Sequence, residues 1–353
     1  MEAILRHLGH RGHRCTLLSC RFPGAAPAED ADGYRIVRGG HAFDFNLAVP
    51  FLYRRLAVRD PPDVVLDDIN KIPFYSPLFV RAPVLAVVPH LMGTAVFREV
   101  NPLLATAVLV SEQPVRWVYR RCRIEAISES TRDDLVARGH VRERISVIHC
   151  GLDQAVYTVD PRVPKAAEPS LVYVGRIKRY KAVDHAIRAL PLIRREVPGC
   201  TLTIVGDGDG LPALRALAAA LGVGDAVRFS GFVSTAEKVR LLRSAHALVN
   251  PSMREGWALT NVEANGCGTV CVAADSPGLR DSVHDGRTGL LYPYGDVSGL
   301  AARAVTVLRD DAARVRMEAE AVAWARSLRW ERCGEETLSL IDRVVAESRA
   351  SRD

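Results

Sequence analysis

The chain has 353 residues, 48% of them apolar and 25% charged, which supplies packed cores for two domains and argues against wholesale disorder. Forty-seven basic and 41 acidic residues leave a net charge of +6. That is too balanced to mark nucleic acid as a partner, while an anionic substrate or a weak attraction to an anionic membrane surface fits equally well. Eight scattered cysteines show no disulfide scaffold, and Cys267 and Cys271 lack a second Cys/His pair for zinc, so reduced thiols and a cytoplasmic setting are expected. No apolar run reaches the ~18 residues of a membrane span, and the N-terminus lacks the apolar core of a signal peptide.

In chain order, Ala3 to Leu8 has helical spacing and is stopped by Gly9 and Gly12, and Cys15 to Ser19 reads as a strand. Val64 to Leu66 is a second strand, ended by Asp67 and Asp68. The uninterrupted apolar run Val84 to Val88 fits a strand buried on both faces, with Pro89 and His90 at its carboxyl end. Arg123 to Ile127 is another strand, Ser130 to Asp133 fits a capping box, and Ile145 to Ile148 closes this half. Asp160 to Ser170 is rich in Pro, Ala and charge and reads as a linker.

The second half alternates regularly. Strands are expected at Leu171 to Val174, Leu202 to Val205, Val227 to Phe229, Ala247 to Val249 and Val270 to Ala273. Helices are expected over Val183 to Glu196, Leu211 to Leu221, Thr235 to Ser244 and around Asn261 to Asn265. Such alternation implies a parallel sheet covered by helices, with ligand-facing loops along the carboxyl edge. The chain ends with a helix from about Glu335 to Ala346. The expected division is 1–159, a linker 160–170, 171–328, and a terminal segment 329–353 packing back on the first domain.

Two segments carry the chemistry. Arg176 stands one residue past Gly175 at a strand end, with Lys181 five residues on. A guanidinium fork and a mobile ammonium together suit a diphosphate, although Lys178 and Arg179 also allow a plain basic surface turn. Glu255 and Glu263 form an E-x7-E spacing across Gly256, Trp257, Ala258 and Leu259, where a helix is expected to start. Free N–H groups there favour an anion, and the two carboxylates suit sugar hydroxyls; the competing reading is a solvated helix face.

Other features are weaker. Gly206-Asp207-Gly208-Asp209-Gly210 invites a dinucleotide reading, but the spacing differs and no acid ends the next strand, so a tight turn is expected and a nicotinamide-dependent oxidoreductase is not. Arg116, Arg120, Arg121 and Arg123 lie among Trp117 and Tyr119, as a membrane-touching or acceptor-binding face or as a solvated helix surface. His90 is either structural or turned toward a reacting group. No Ser/His/Asp triad, metal-binding cluster or base for hydrolysis or epimerisation is evident.

Tyr173-Val174-Gly175-Arg176 with Lys181, Asn250-Pro251-Ser252 with Glu255 to Leu259 and Glu263, Gly278 to Asp281, Asp285 to Leu291, and Ser128 to Thr131 together resemble the retaining glycosyltransferases of family 4. The resemblance implies an α/β chain of two Rossmann-like domains facing a cleft, the GT-B architecture. It implies that Arg176 and Lys181 bind the donor diphosphate. Glu255, with the amides of Gly256, Trp257, Ala258 and Leu259, would hold the transferred sugar. Glu263 would hold the ribose, the backbone at Val233 would meet the base, and His90 would stand beside the sugar. It implies a metal-independent, cofactor-free hexosyltransferase with a UDP- or GDP-sugar as donor and a glycan, lipid or small molecule as acceptor. The expected location is the cytoplasm, with peripheral membrane contact open. Two departures accompany it. Family members begin with a strand and a Gly-Gly loop that are not found before Ala3, which predicts a first-domain sheet missing a strand and leaves a catalytically weak binding or partner subunit as the alternative. Ala182 replaces the glycine that often follows the phosphate-binding lysine.

Overall fold

A computed structural model describes residues 1–351 other than 43, 71 and 99. The chain divides into two compact units, one of residues 1–151 with 330–353 and one of residues 152–329. The divide thus falls earlier than residue 160. The segment 160–170 belongs to the second unit, anchored by the Lys165 ammonium, which donates to the carbonyls of Ala245 (2.8 Å) and Gly268 (2.9 Å) and to Thr269 Oγ1 (2.8 Å).

The first unit runs α1 (Glu2–His10), β1 (Thr16–Ser19), β2 (Ala28–Ala31), β3 (Tyr34–Arg38), α2 (Phe45–Ala57), β4 (Val65–Asp68), β5 (Val84–Val88), α3 (Pro102–Glu112), α4 (Val115–Val118), β6 (Arg123–Ala126), α5 (Glu129–Ala137) and β7 (Ile145–Val147). Where one interrupted sheet is expected, the unit holds two: a three-stranded sheet ordered β1-β3-β2 and a parallel four-stranded sheet ordered β4-β5-β6-β7. The apolar spacing of α1 serves both sheets. Ile4 and Leu8 pack in one cluster with Leu85, whereas Leu5 packs with Tyr34 and Ile36.

Asp67 and Asp68 lie within β4 rather than ending it. Asp67 is tolerated there because Tyr119 (2.6 Å) and Ser76 (2.5 Å) donate hydroxyl protons to its Oδ2. The first-domain cap is Ser128, which accepts from the Thr131 N–H at 3.1 Å, two residues before the expected position. Tyr119 is buried and Arg123 grips Glu347 with Nε 3.0 Å from both carboxylate oxygens, so neither contributes to a free basic face.

The second unit runs β8 (Ser170–Val174), α6 (Val183–Glu196), β9 (Thr201–Val205), α7 (Leu211–Ala220), β10 (Val227–Gly231), α8 (Thr235–Ser244), β11 (Ala247–Asn250), α9 (Leu259–Gly266), β12 (Val270–Asp275), α10 (Leu279–Ser282), β13 (Gly289–Pro293), α11 (Val297–Arg309) and α12 (Asp311–Ser327). Its six strands form one wholly parallel sheet ordered β10-β9-β8-β11-β12-β13. The order runs outward in both directions from β8 and β11. Their loops therefore part at the switch point, where open α/β sheets bind ligands. The terminal helix α13 (Trp330–Ala350) belongs to the first unit, where Cys333, Leu340, Ile341 and Val344 join the cluster of Ile4, Leu8 and Leu85.

Glu125 on β6 is almost wholly buried, and that burial pushes its carboxyl up to about 7. The folded chain therefore holds this proton to a higher pH than the unfolded chain does. Stability is expected to fall as pH rises from the ordinary carboxyl range through 7, by at most ~3 kcal/mol. Urea midpoints at pH 5 and 8 check this: Glu125→Gln should flatten the fall, and an equal fall in the variant would remove Glu125 as its cause.

Candidate functional site

Every site residue predicted in the second half lies in the second unit, on loops at the carboxyl edge of its sheet or on α9, which follows one of them. After β8 the chain turns at Gly175, exposes Arg176, and makes a short 3-10 turn over Arg179–Lys181. After β11 it runs through Pro251 and Glu255 into α9. The two loops meet. Met253 N donates to the Tyr180 carbonyl (2.9 Å), and the Lys181 ammonium lies 2.5 Å from Glu255 Oε1, both side chains being about 15% exposed. Arg176 Nη2 donates to the Tyr180 hydroxyl at 2.9 Å, and the buried Tyr173 hydroxyl donates to the Arg176 carbonyl at 3.0 Å. Burial, then the nearby Glu255 charge, raises the Tyr173 phenol well above its ordinary range, so it stays a donor.

Two helices start here in the same unusual way. Ala182 (φ 49°) precedes α6 and Ala258 (φ 50°) precedes α9; both are left-handed, and neither helix has a side-chain cap. Left-handed alanine costs roughly 1 kcal/mol or more, and such strain gathers at functional sites. The glycine often found at the Ala182 position fits the conformation that Ala182 is made to adopt. Uncapped N–H groups, two positive helix ends, a guanidinium and an ammonium are the kinds of group that proteins use to hold an anion.

Glycine permits the loops to crowd. A Cβ on Gly206 (φ 131°) would stand 1.9 Å from the Gly175 carbonyl oxygen, and one on Gly278 (φ 80°) would stand 2.2 Å from that of Glu255. The run Gly206 to Gly210 is therefore a packing turn. Its Asp207 carbonyl accepts from Ile177 N at 2.9 Å, and Asp209 pairs with Lys178 at 3.0 Å.

The carboxylates of the E-x7-E pair hold different lysines. Glu263, on α9, takes Lys238 from α8 at 3.1 Å to both oxygens, and the Lys238 ammonium also lies 4.8 Å over the Tyr157 ring. Burial alone would lower the Lys238 pKa; a Tyr157 hydrogen bond and the Glu263 charge outweigh it and raise the value. Neither Lys238 nor Tyr157 was legible as a site residue, and an amphipathic helix carrying a lysine opposite an acid 25 residues on gives no distinctive spacing. Behind the donor loop, Asn250 Nδ2 donates to Asn261 Oδ1 (2.8 Å), and Asn261 Nδ2 donates to Ser282 Oγ (3.0 Å), all three being buried. This chain ties β11, α9 and α10 together behind Glu255.

Three more of the expected residues have definite surroundings. Trp257 is buried and faces the Trp324 ring at 6.4 Å, so only its backbone faces the loop. Val233, half-buried, lies between Gly231, whose carbonyl accepts from Gly206 N at 2.8 Å, and the α8 cap Ser234. His90 belongs to the first unit, after β5, with Nε2 3.2 Å from Met92 Sδ. Among the described residues no group of three or more His, Cys, Asp or Glu is placed to hold a metal ion.

Two α/β units, one with a basic turn and an acid-bearing, uncapped helix at its sheet's switch point, define a GT-B protein. Residues 160–324 match the family model "Glycosyl transferases group 1", and residues 1–156 match "Glycosyltransferase Family 4". A glycogen synthase from Mycobacterium tuberculosis is 41% identical over 172 residues, 49% of this chain and 42% of its own length. A GDP-mannose-dependent alpha-(1-6)-phosphatidylinositol monomannoside mannosyltransferase from the same species is 28% identical over 359 residues, covering 94% of this chain and 90% of the relative. The solved sucrose-phosphate synthase of Thermosynechococcus elongatus superposes with a TM-score of 0.80 at 19% identity, over 98% of this chain and 92% of that one. The chain belongs to the family 4 glycosyltransferases. It spans less than half the length of the glycogen synthase it matches.

Proposed function

We propose that this chain moves a hexose from a UDP- or GDP-sugar to a hydroxyl acceptor, with retention at the anomeric carbon and without a metal ion. The observation that carries this is the Lys181–Glu255 pair at 2.5 Å, set between the Arg176 turn and the uncapped start of α9. When a donor enters, Lys181 and Arg176 take its diphosphate, and the α6 and α9 N–H groups share the charge. Glu255 is then released to accept from sugar hydroxyls. The two basic side chains and two helix ends supply the positive charge that a departing nucleoside diphosphate needs. The acceptor oxygen bonds to the anomeric carbon on the face from which the phosphate oxygen leaves. The acceptor's proton passes to that departing phosphate, so no protein base is required. The GDP-mannose dependence in one relative's name supports a nucleotide-sugar donor.

Glu263 is assigned to the ribose hydroxyls, with Lys238 and Tyr157 holding its carboxylate in place. Replacing Lys238 by Met leaves that partly buried acid without its cation. Donor affinity is expected to fall roughly 10- to 100-fold, with Glu263→Ala in the same range. Calorimetric titration with UDP- and GDP-sugars reads this directly, and unchanged affinity in both variants would refute the assignment. Nucleotide release with and without acceptors tests transfer itself. Binding of a nucleotide sugar without release under any acceptor would point instead to a binding or partner subunit.

A further inference from the structure

We propose that the first unit carries a docking surface for an anionic lipid bilayer, formed by the outer sides of α2, α3 and α4 with the loop 72–79 between them. The observation begins with α3. Its sequence from Pro102 to Ser111 holds no charge, and its one acid, Glu112, is 3% exposed. Glu112 is spent internally: Met92 N (2.6 Å) and Gly93 N (2.9 Å) donate to it, and Arg138 pairs with it at 3.4 Å. A helix that is apolar all round belongs in a core or in lipid. Only one side of α3 is used, with Ala105 packing on Met92 and Val96. The other side exposes Leu103 (82%), Leu104 and Val110.

The surface continues on either hand. Trp117 of α4 is exposed with the Arg116 guanidinium 3.9 Å over its ring, and Arg120 and Arg121 follow, also exposed. On the other side the Tyr75 hydroxyl donates to the Ser111 carbonyl of α3, tying the loop 72–79 to it. That loop leans on α2 through Phe74 against Phe45 (5.6 Å) and Phe79 against Tyr53 (6.1 Å), and it exposes Leu78. Helix α2 adds exposed Leu47 and Phe51 (74%), followed by exposed Arg54 and Arg55.

Charge decides the occupant. Residues 101–122 carry three exposed arginines and no exposed carboxylate. A second copy meeting this patch across a two-fold axis would set arginine against arginine. Lipid phosphates answer the arginines while the aliphatic and indole side chains enter the acyl boundary, the pattern of an interfacial surface. Among the described residues no helix is long and apolar enough to cross a membrane, so the contact is peripheral.

The full chain is floated with vesicles of phosphatidylcholine alone and with vesicles containing phosphatidylglycerol. Salt-sensitive binding to the anionic vesicles is expected. The triple variant Arg116→Glu, Arg120→Glu, Arg121→Glu should weaken it by roughly 100-fold, and Leu103→Ser with Trp117→Ser should abolish co-flotation. Nucleotide affinity, which reads the second unit, together with unchanged circular dichroism, reports that the variants fold. Equal partition onto both vesicle types, unaltered binding in both variants, or a concentration-dependent dimer that the Leu103→Ser, Trp117→Ser variant abolishes would each overturn the proposal.

Discussion

Lys181→Ala is expected to lower kcat/KM for sugar transfer by roughly 100- to 1000-fold, the cost of deleting one charge-stabilising donor from a preorganised site. Lys181 has two tasks in the structure. It neutralises Glu255 at 2.5 Å, and it stands at the end of the turn that also carries Arg176. Its loss leaves a largely enclosed carboxylate facing the diphosphate, so repulsion adds to the missing attraction. Lys181→Arg is expected to recover part of the rate, since charge is kept while the fork no longer fits the short contact with Glu255. Steady-state kinetics with the donor varied checks this. A Lys181→Ala enzyme within threefold of the parent would remove Lys181 from the site.

Gly278→Ala is expected to be as damaging, although Gly278 touches no ligand in the proposed mechanism. Its added methyl would stand 2.2 Å from the Glu255 carbonyl oxygen and 2.6 Å from the carbonyl carbon, both backbone atoms that cannot rotate away. The donor loop must shift, stretching the Glu255 N to Pro277 O hydrogen bond of 3.0 Å and moving the Glu255 carboxylate off Lys181. Displacement of about 1 Å costs on the order of 100-fold in rate, and the overpacking roughly 3 kcal/mol of stability. Gly286→Ala is the matched control. It has a similar backbone (φ 74°) but open space around the added methyl, so it should lose only about 1 kcal/mol and keep its rate. Equal activity in the two variants would show that crowding at Glu255 does not matter.

The second unit was the more legible half for a physical reason. Strands buried on both faces must be apolar throughout, so Leu171 to Val174 and Val270 to Ala273 announce themselves, and the helix over Thr235–Ser244 was placed to the residue. The first unit hides its elements. Strand β2 reads Ala-Glu-Asp-Ala on an exposed edge, and α2 carries Pro50 inside and bare apolar side chains outside. Neither shows the periodicity of a half-buried element. Within the candidate site, Arg176, Lys181, Glu255 and Glu263 could be singled out because they fall in two short segments that each follow a strand-like run and together resemble family motifs, and the structure puts those segments on adjoining loops and α9. The partners Lys238 and Tyr157 could not be, because only tertiary packing brings α8 and residue 157 to α9. At Trp257 only the backbone amide was expected to matter, and the burial of the indole agrees with that, since its side chain is spent on packing.

The path of the chain has a consequence for biosynthesis. Leu152 N bonds to the Leu328 carbonyl at 3.0 Å, so the two crossings between the units leave the second one side by side, and that unit behaves as an insertion. Helix α13 then completes the first core around Ile4, Leu8 and Leu85. At ordinary ribosomal speed the whole inserted unit takes roughly 10 to 40 seconds to make. During that interval the amino-terminal half is already outside the ribosome with one wall of its core unbuilt. The half translated second can therefore complete its core before the half translated first, whose core closes only when the terminal helix emerges.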